Sequence, residues 1–119
     1  MNKNQISIDY DPEGDMLSII FGSKGRKGRG YELNDYIYIR IDPSNYEPLG
    51  LTVLSYSKIQ KLGEIVLSFW SDLKQQEKEM MLMILNKEPV NHFLQVKDST
   101  VPIPVSTFKN PSLQDILAA

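Results

Sequence analysis

Apolar and polar residues alternate through the first half of the chain and recur at roughly helical spacing in the second. Ile6 and Ile8 share one face, and Met16 to Phe21 reads as a second strand beyond the turn residues Tyr10-Asp11-Pro12-Glu13-Gly14-Asp15. That turn predicts a hairpin, with Pro12 presetting φ and Gly14 free to take a positive φ. Residues 22–30 hold four glycines and four cations, a composition that predicts a long loop. Residues 36–42 alternate cleanly, with Ile37, Ile39 and Ile41 on one face and Tyr36, Tyr38 and Arg40 on the other. Pro43-Ser44-Asn45 then predicts a turn, and residues 49–55 a fourth strand.

Ser57 with Gln60 three residues on matches a capping box and predicts a short helical turn ending near Gly63. From Ile65 to Leu85 the apolar spacing predicts helix for most of the segment. Ser71 offers an alternative N-cap, which would split the region and start a helix over residues 72–87. Pro89 marks the helix end, and residues 93–96 and 101–105, the latter carrying Pro102 and Pro104, predict an edge strand or strap. Asn110-Pro111-Ser112 before Leu113, Ile116 and Leu117 predicts a short terminal helix.

The expected fold class is therefore α+β in a single domain over residues 1–119. A four-stranded antiparallel meander (residues 5–55) packs against a helical region (residues 57–87). An extended Pro-containing C-terminal segment and a short terminal helix (residues 90–119) complete it.

The stretch from Tyr10-Asp11 through Asp15-Met16-Leu17-Ser18-Ile19, with Leu49-Gly50-Leu51-Thr52-Val53-Leu54 further on, resembles the domain-of-unknown-function 2283 family of small bacterial proteins. The resemblance covers roughly the first half. Tyr10, Asp11, Asp15, Leu17, Ile19 and Gly50 fit the family pattern. Ser18 stands where an aromatic residue is usual, and Thr52 where an acid is frequent. The resemblance implies a fold core and carries no activity with it.

The chain has 119 residues, 13 Lys+Arg against 15 Asp+Glu, and no Cys. The balance of −2 supplies no global field for phosphates, and the lack of thiols excludes disulfides, thiolate metal sites and Cys nucleophiles. No apolar run reaches the ~20 residues of a bilayer span, and the N-terminus carries no export signal, so a cytoplasmic protein without a membrane partner is expected.

Candidate chemistry is thin. Asp9-Tyr10-Asp11-Pro12-Glu13-Gly14 imitates the first half of a calcium loop, but Ile20 stands where the bidentate acid belongs. The Gly-rich loop lacks the Gly-Lys-Ser/Thr ending of a phosphate cradle and leads into a strand rather than a helix. His92 is the lone histidine, and no nucleophile elbow or acid-base pair accompanies it, so neither a catalytic residue nor a cofactor is expected.

Two surfaces remain. Tyr36 and Tyr38 project opposite the Ile face, and the run containing Met80, Met81, Met83 and Ile84 is apolar all around a helix; both suit contact with another chain. Lys24, Arg26, Lys27 and Arg29 form a +4 loop against −6 on the other residues, and would be the contact of a nucleic-acid or anionic-ligand binder. The first reading, a non-enzymatic protein-interaction module that forms a homodimer or binds another protein, is the leading expectation. The second is the alternative.

Overall fold

The computed structural model describes residues 5–23, 25–98 and 103–109. The fold is α+β, with two antiparallel sheets and few helices. Strands β1 (Ile6–Asp11), β2 (Met16–Phe21), β3 (Arg29–Glu32), β4 (Ile37–Ile41) and β5 (Pro48–Leu54) form a five-stranded sheet in the order β1-β2-β5-β4-β3. A one-turn helix α1 (Tyr56–Ile59) follows, then β6 (Ile65–Val66), a 3-10 turn over Trp70–Asp72 and helix α2 (Gln75–Leu85). A second 3-10 turn (Val90–His92) leads into β7 (Leu94–Asp98) and β8 (Val105–Phe108), which join β6 in a three-stranded sheet ordered β6-β8-β7.

The first sheet departs from a four-stranded meander in two ways. A fifth strand, β3, begins inside the segment expected to be loop, so Arg29 and Gly30 are paired residues opposite Ile41 and Arg40. The chain then crosses from β2 to the far edge, and β3-β4-β5 folds back as its own meander until β5 docks on β2, with Leu51 between Ile19 and Ile39. Gly30 makes the edge position workable. A Cβ there would lie 1.7 Å from the Tyr38 Oη, so only a residue without a side chain lets the Tyr38 ring cross β3.

The β1–β2 turn also differs in detail. Asp15, not Gly14, takes the left-handed conformation, at φ 50°, while Asp11 accepts a hydrogen bond from the Glu13 N–H at 3.1 Å. This is an Asx turn followed by a strained aspartate.

The helical region is shorter than its apolar spacing suggested. Ile65 and Val66 are strand, Ser71 lies in the 3-10 turn, and α2 starts only at Gln75, where Glu77 accepts the Lys74 N–H at 2.9 Å to close its first turn. Residues 65–67 are drawn out of helix by tertiary pairing, Ile65 with Ser106 and the Leu67 N–H with the Pro104 carbonyl. Ser57 is not an N-cap, since Ser55 holds that position and Ser57 lies inside α1. Of the expected edge strand or strap, residues 94–96 lie in β7, which is an edge of the second sheet; residues 101 and 102 lie outside the described residues, and Val105 opens β8, the central strand of that sheet. The expected terminal helix over residues 112–117 lies outside the described residues.

One core joins the two sheets. Leu17, Ile19 and Phe21 of β2, Ile37, Ile39 and Ile41 of β4 and Leu51 and Val53 of β5 turn inward, which is the period-2 face of each strand. They meet Ile59, Leu67, Trp70, Met81, Leu85, Phe93, Leu94 and Phe108. Each such side chain contributes about 1.5–3 kcal/mol on leaving water.

Candidate interaction surface

The strand registers that send these residues inward place the alternate residues on the opposite face of the five-stranded sheet. Met16, Ser18 and Ile20 of β2 lie there beside Leu54, Thr52 and Gly50 of β5, and Thr52 lies opposite Tyr38 of β4. None of the side chains among these is fully buried, and Leu54 is 42% exposed. The middle of the face is thus uncharged, made of small and apolar groups. Its borders are charged, with Asp9 and Asp11 on β1, Glu32 and Asp35 at the β3–β4 end, and the cations Arg40 of β4, opposite Gly50, and Lys58 beside Tyr36.

At that end Tyr36, Tyr38, Thr52, Leu54, Glu32 and Asp35 line a groove of about 320 Å³. Glu32 and Asp35 have no ion pair among the described residues. Tyr36 carries a cation on its ring, the Lys58 ammonium at 4.7 Å from the centroid, which also donates to the phenol. The floor is fixed by Asn34, a buried residue that sequence reading passed over. Its Oδ1 accepts the N–H groups of Tyr36 and Ile37, each at 2.8 Å, and its Nδ2 donates to the Val66 carbonyl at 3.0 Å, tying the β3–β4 turn to the second sheet. The Asn-Asp pair after Leu33 is the available signal for that turn.

Tyr10, Asp11 and Asp15 occupy structural posts. Asp15 accepts hydrogen bonds from the Tyr10 hydroxyl at 2.7 Å and from the Ser57 hydroxyl at 2.8 Å and amide at 3.1 Å, while its own carbonyl accepts the Tyr56 N–H. The hairpin turn therefore satisfies the open N–H groups at the start of α1 from a distance. The Tyr10 and Tyr56 rings lie 5.6 Å apart, and Tyr56 meets Phe108 of the second sheet at 6.1 Å. Gly50 is a close-approach position, where a Cβ would sit 3.2 Å from the Ile19 carbonyl oxygen.

The bonds from Tyr10 and then Ser57 hold the Asp15 carboxyl below its ordinary value of 3.8, and the same contact raises the Tyr10 phenol. A depressed folded pKa gives stability that is fully present above the unfolded value and is lost as pH falls through the folded one. Asp15→Asn should therefore lower the melting temperature near neutrality yet lose less than the parent on acidification to about pH 3, as followed by circular dichroism. Equal acid sensitivity of the two proteins would remove Asp15 from the account.

The basic loop does not form a free patch. Arg26 pairs with Asp42 at 2.8 Å and Glu47 at 3.4 Å, and its carbonyl accepts from the Arg40 guanidinium. Bonds from Ser44 first, and from Arg26 after them, depress the Asp42 carboxyl. Arg29 sits 3.6 Å from Glu77 and 5.3 Å over the Tyr31 ring. Lys27 is exposed, and Lys24 lies outside the described residues. The composition of the loop gives no sign of this anchoring, because the acids lie 16 and 21 residues further on, where local pattern does not reach.

In α2, Met81 and Ile84 are buried, Met80 is half-buried, and Met83 is 52% exposed. Most of the apolar run is thus taken up by the core. His92 is exposed, 3.4 Å from Glu88. Among the described residues no group of three His, Asp or Glu side chains could hold a metal ion, and no helix is long and apolar enough to cross a membrane.

Comparison of the chain with family models, with curated proteins and with solved structures finds no match.

Proposed function

We propose that the protein is a non-enzymatic interaction module that docks a partner protein on the outer face of its five-stranded sheet. The observation that carries this reading is the face itself: an uncharged centre around Thr52, Ser18 and Ile20, with Asp9, Asp11, Glu32 and Asp35 on its rim alongside Arg40 and Lys58. Apolar centre and charged rim are the layout of a protein interface, and the four rim carboxylates select a partner with basic groups at matching positions. Tyr36 and Tyr38 belong to this surface, while Met83 is the exposed methionine of α2 and stands apart from it. A nucleic acid is disfavoured by the same rim and by the carboxylates that hold Arg26 and Arg29. Kinship with the domain-of-unknown-function 2283 family is part of this proposal only as a shared frame, since Tyr10, Asp15 and Gly50 act in folding.

The test is affinity purification from the native cells with two charge insertions. Thr52→Arg should abolish recovery of the co-purifying protein while leaving the melting temperature within a few degrees of the parent, because the side chain is half-exposed. Met83→Arg should leave recovery unchanged. Equal recovery with all three chains would refute the assignment of the face.

A further inference from the structure

Each sheet has two edges, and three of the four carry a feature that discourages pairing with another chain. β3 is only four residues long, β6 is two residues long, and β7 has a register shift between Val96 and Asp98 with Lys97 inside it. The edge β1 is different. It is six residues long, runs in unbroken register with β2, and contains neither Lys nor Pro.

The main-chain direction along β1 follows from one bond. The Gly22 N–H donates to the Gln5 carbonyl at 2.8 Å, so Gln5, Ser7, Asp9 and Asp11 face β2 with their backbone groups. By alternation Ile6, Ile8 and Tyr10 direct their N–H and C=O groups to the outer edge, which no strand among the described residues occupies. Their side chains lie on the core side, where Ile6 and Ile8 are only partly buried and Tyr10 is 42% exposed.

We infer that the open edge of β1 pairs antiparallel with β1 of a second copy, so that one continuous sheet runs through a two-fold dimer. The register that uses all three outward residues sets Ile8 opposite Ile8 of the second copy and Ile6 opposite Tyr10, giving about six main-chain hydrogen bonds. On the outer face it sets the Ser7 hydroxyl opposite the Asp9 carboxylate, twice by symmetry. The two Asp9 groups are then diagonal neighbours, about 7–8 Å apart and separated by water. Shifting the register toward Tyr10 would instead oppose Asp9 to Asp11, a like-charge pair, so the sequence selects the Ile8-centred arrangement. The second copy fits this edge because the strand is complementary to itself; in such a dimer the two docking faces lie side by side, which raises avidity for a repeated partner.

Sedimentation from about 10 to 500 µM should show a monomer–dimer equilibrium, with amide exchange of Ile6, Ile8 and Tyr10 slowing as concentration rises. Ile8→Pro removes an outward N–H without touching the β1–β2 ladder and should abolish dimerisation. Ser7→Asp sets a like charge opposite Asp9 and should weaken the dimer about tenfold, whereas Ser7→Lys should strengthen it. The Ser7 pair keeps the test decisive if Ile8→Pro disturbs folding. A monomer at every concentration overturns the inference. So does a dimer indifferent to both Ser7 substitutions. Thr52→Arg should leave the dimer intact, which separates failure here from failure of the docking face.

Discussion

Asn34→Ala should lower unfolding stability by about 3 kcal/mol, and the melting temperature by roughly 10–15 °C, in denaturant and calorimetric unfolding. The residue is 6% exposed, and its amide serves three main-chain groups: the N–H groups of Tyr36 and Ile37 and the carbonyl of Val66. Alanine fills none of these roles: the orphaned Ile37 N–H is buried and carries a desolvation penalty larger than the net value of an ordinary hydrogen bond, and the Tyr36 N–H and Val66 carbonyl, part-buried, add smaller losses. Asn34→Asp keeps the acceptor for Tyr36 and Ile37 but cannot donate to Val66, and sets an anion against that carbonyl. It should fall between parent and alanine variant near neutrality. A loss below about 1 kcal/mol for Asn34→Ala would mean that water replaces the amide at no cost, and that the two sheets are joined by packing alone.

Leu51→Ala should be at least as damaging, at about 3 kcal/mol, while Leu54→Ala three residues along the same strand should cost about 0.5 kcal/mol or less. Leu51 has no exposed surface and lies between Ile19 and Ile39 in the centre of the sheet, so truncation leaves a cavity that strands held in register on both sides cannot close. Leu54 is 42% exposed on the opposite face. The comparison reads sheet polarity directly, because the two positions differ in face and not in residue type. Similar losses at both sites would mean that the outer face is packed in solution and is not available to a partner.

How far the sequence revealed this arrangement depends on the range of the forces involved. β1, β2, β4 and β5 were legible because each alternates, and alternation is imposed within the strand. β3 was not, since Arg29-Gly30-Tyr31-Glu32 has the composition of a loop and becomes a strand by pairing with β4, where Gly30 leaves the room that the Tyr38 ring occupies. The strand order was hidden for a related reason: β5 pairs with β2 across the whole β3–β4 hairpin, and no local signal records that partner. Residues 65–67 read as helix from spacing, yet they pair with Ser106, Val105 and Pro104, some forty residues away.

The candidate surface was legible in part. Alternation placed Tyr36 and Tyr38 opposite the Ile face, and both line the outer groove. Ser18, Ile20 and Thr52 complete the face only through the β2–β5 register. Asp15 stood out by its motif, but its role of holding α1 through Ser57 links residues 42 apart. The four loop cations were visible, and the distant carboxylates that pair with Arg26 and Arg29 were not.

The most direct test of the docking face is site-specific photo-crosslinking in the native cells, with a benzophenone side chain replacing Thr52 and, as a control, the exposed Lys61. The account predicts one discrete adduct from position 52, lost when Glu32 and Asp35 are both changed to Lys, and no such adduct from position 61. Absence of an adduct at position 52, or the same products from both positions, would contradict it.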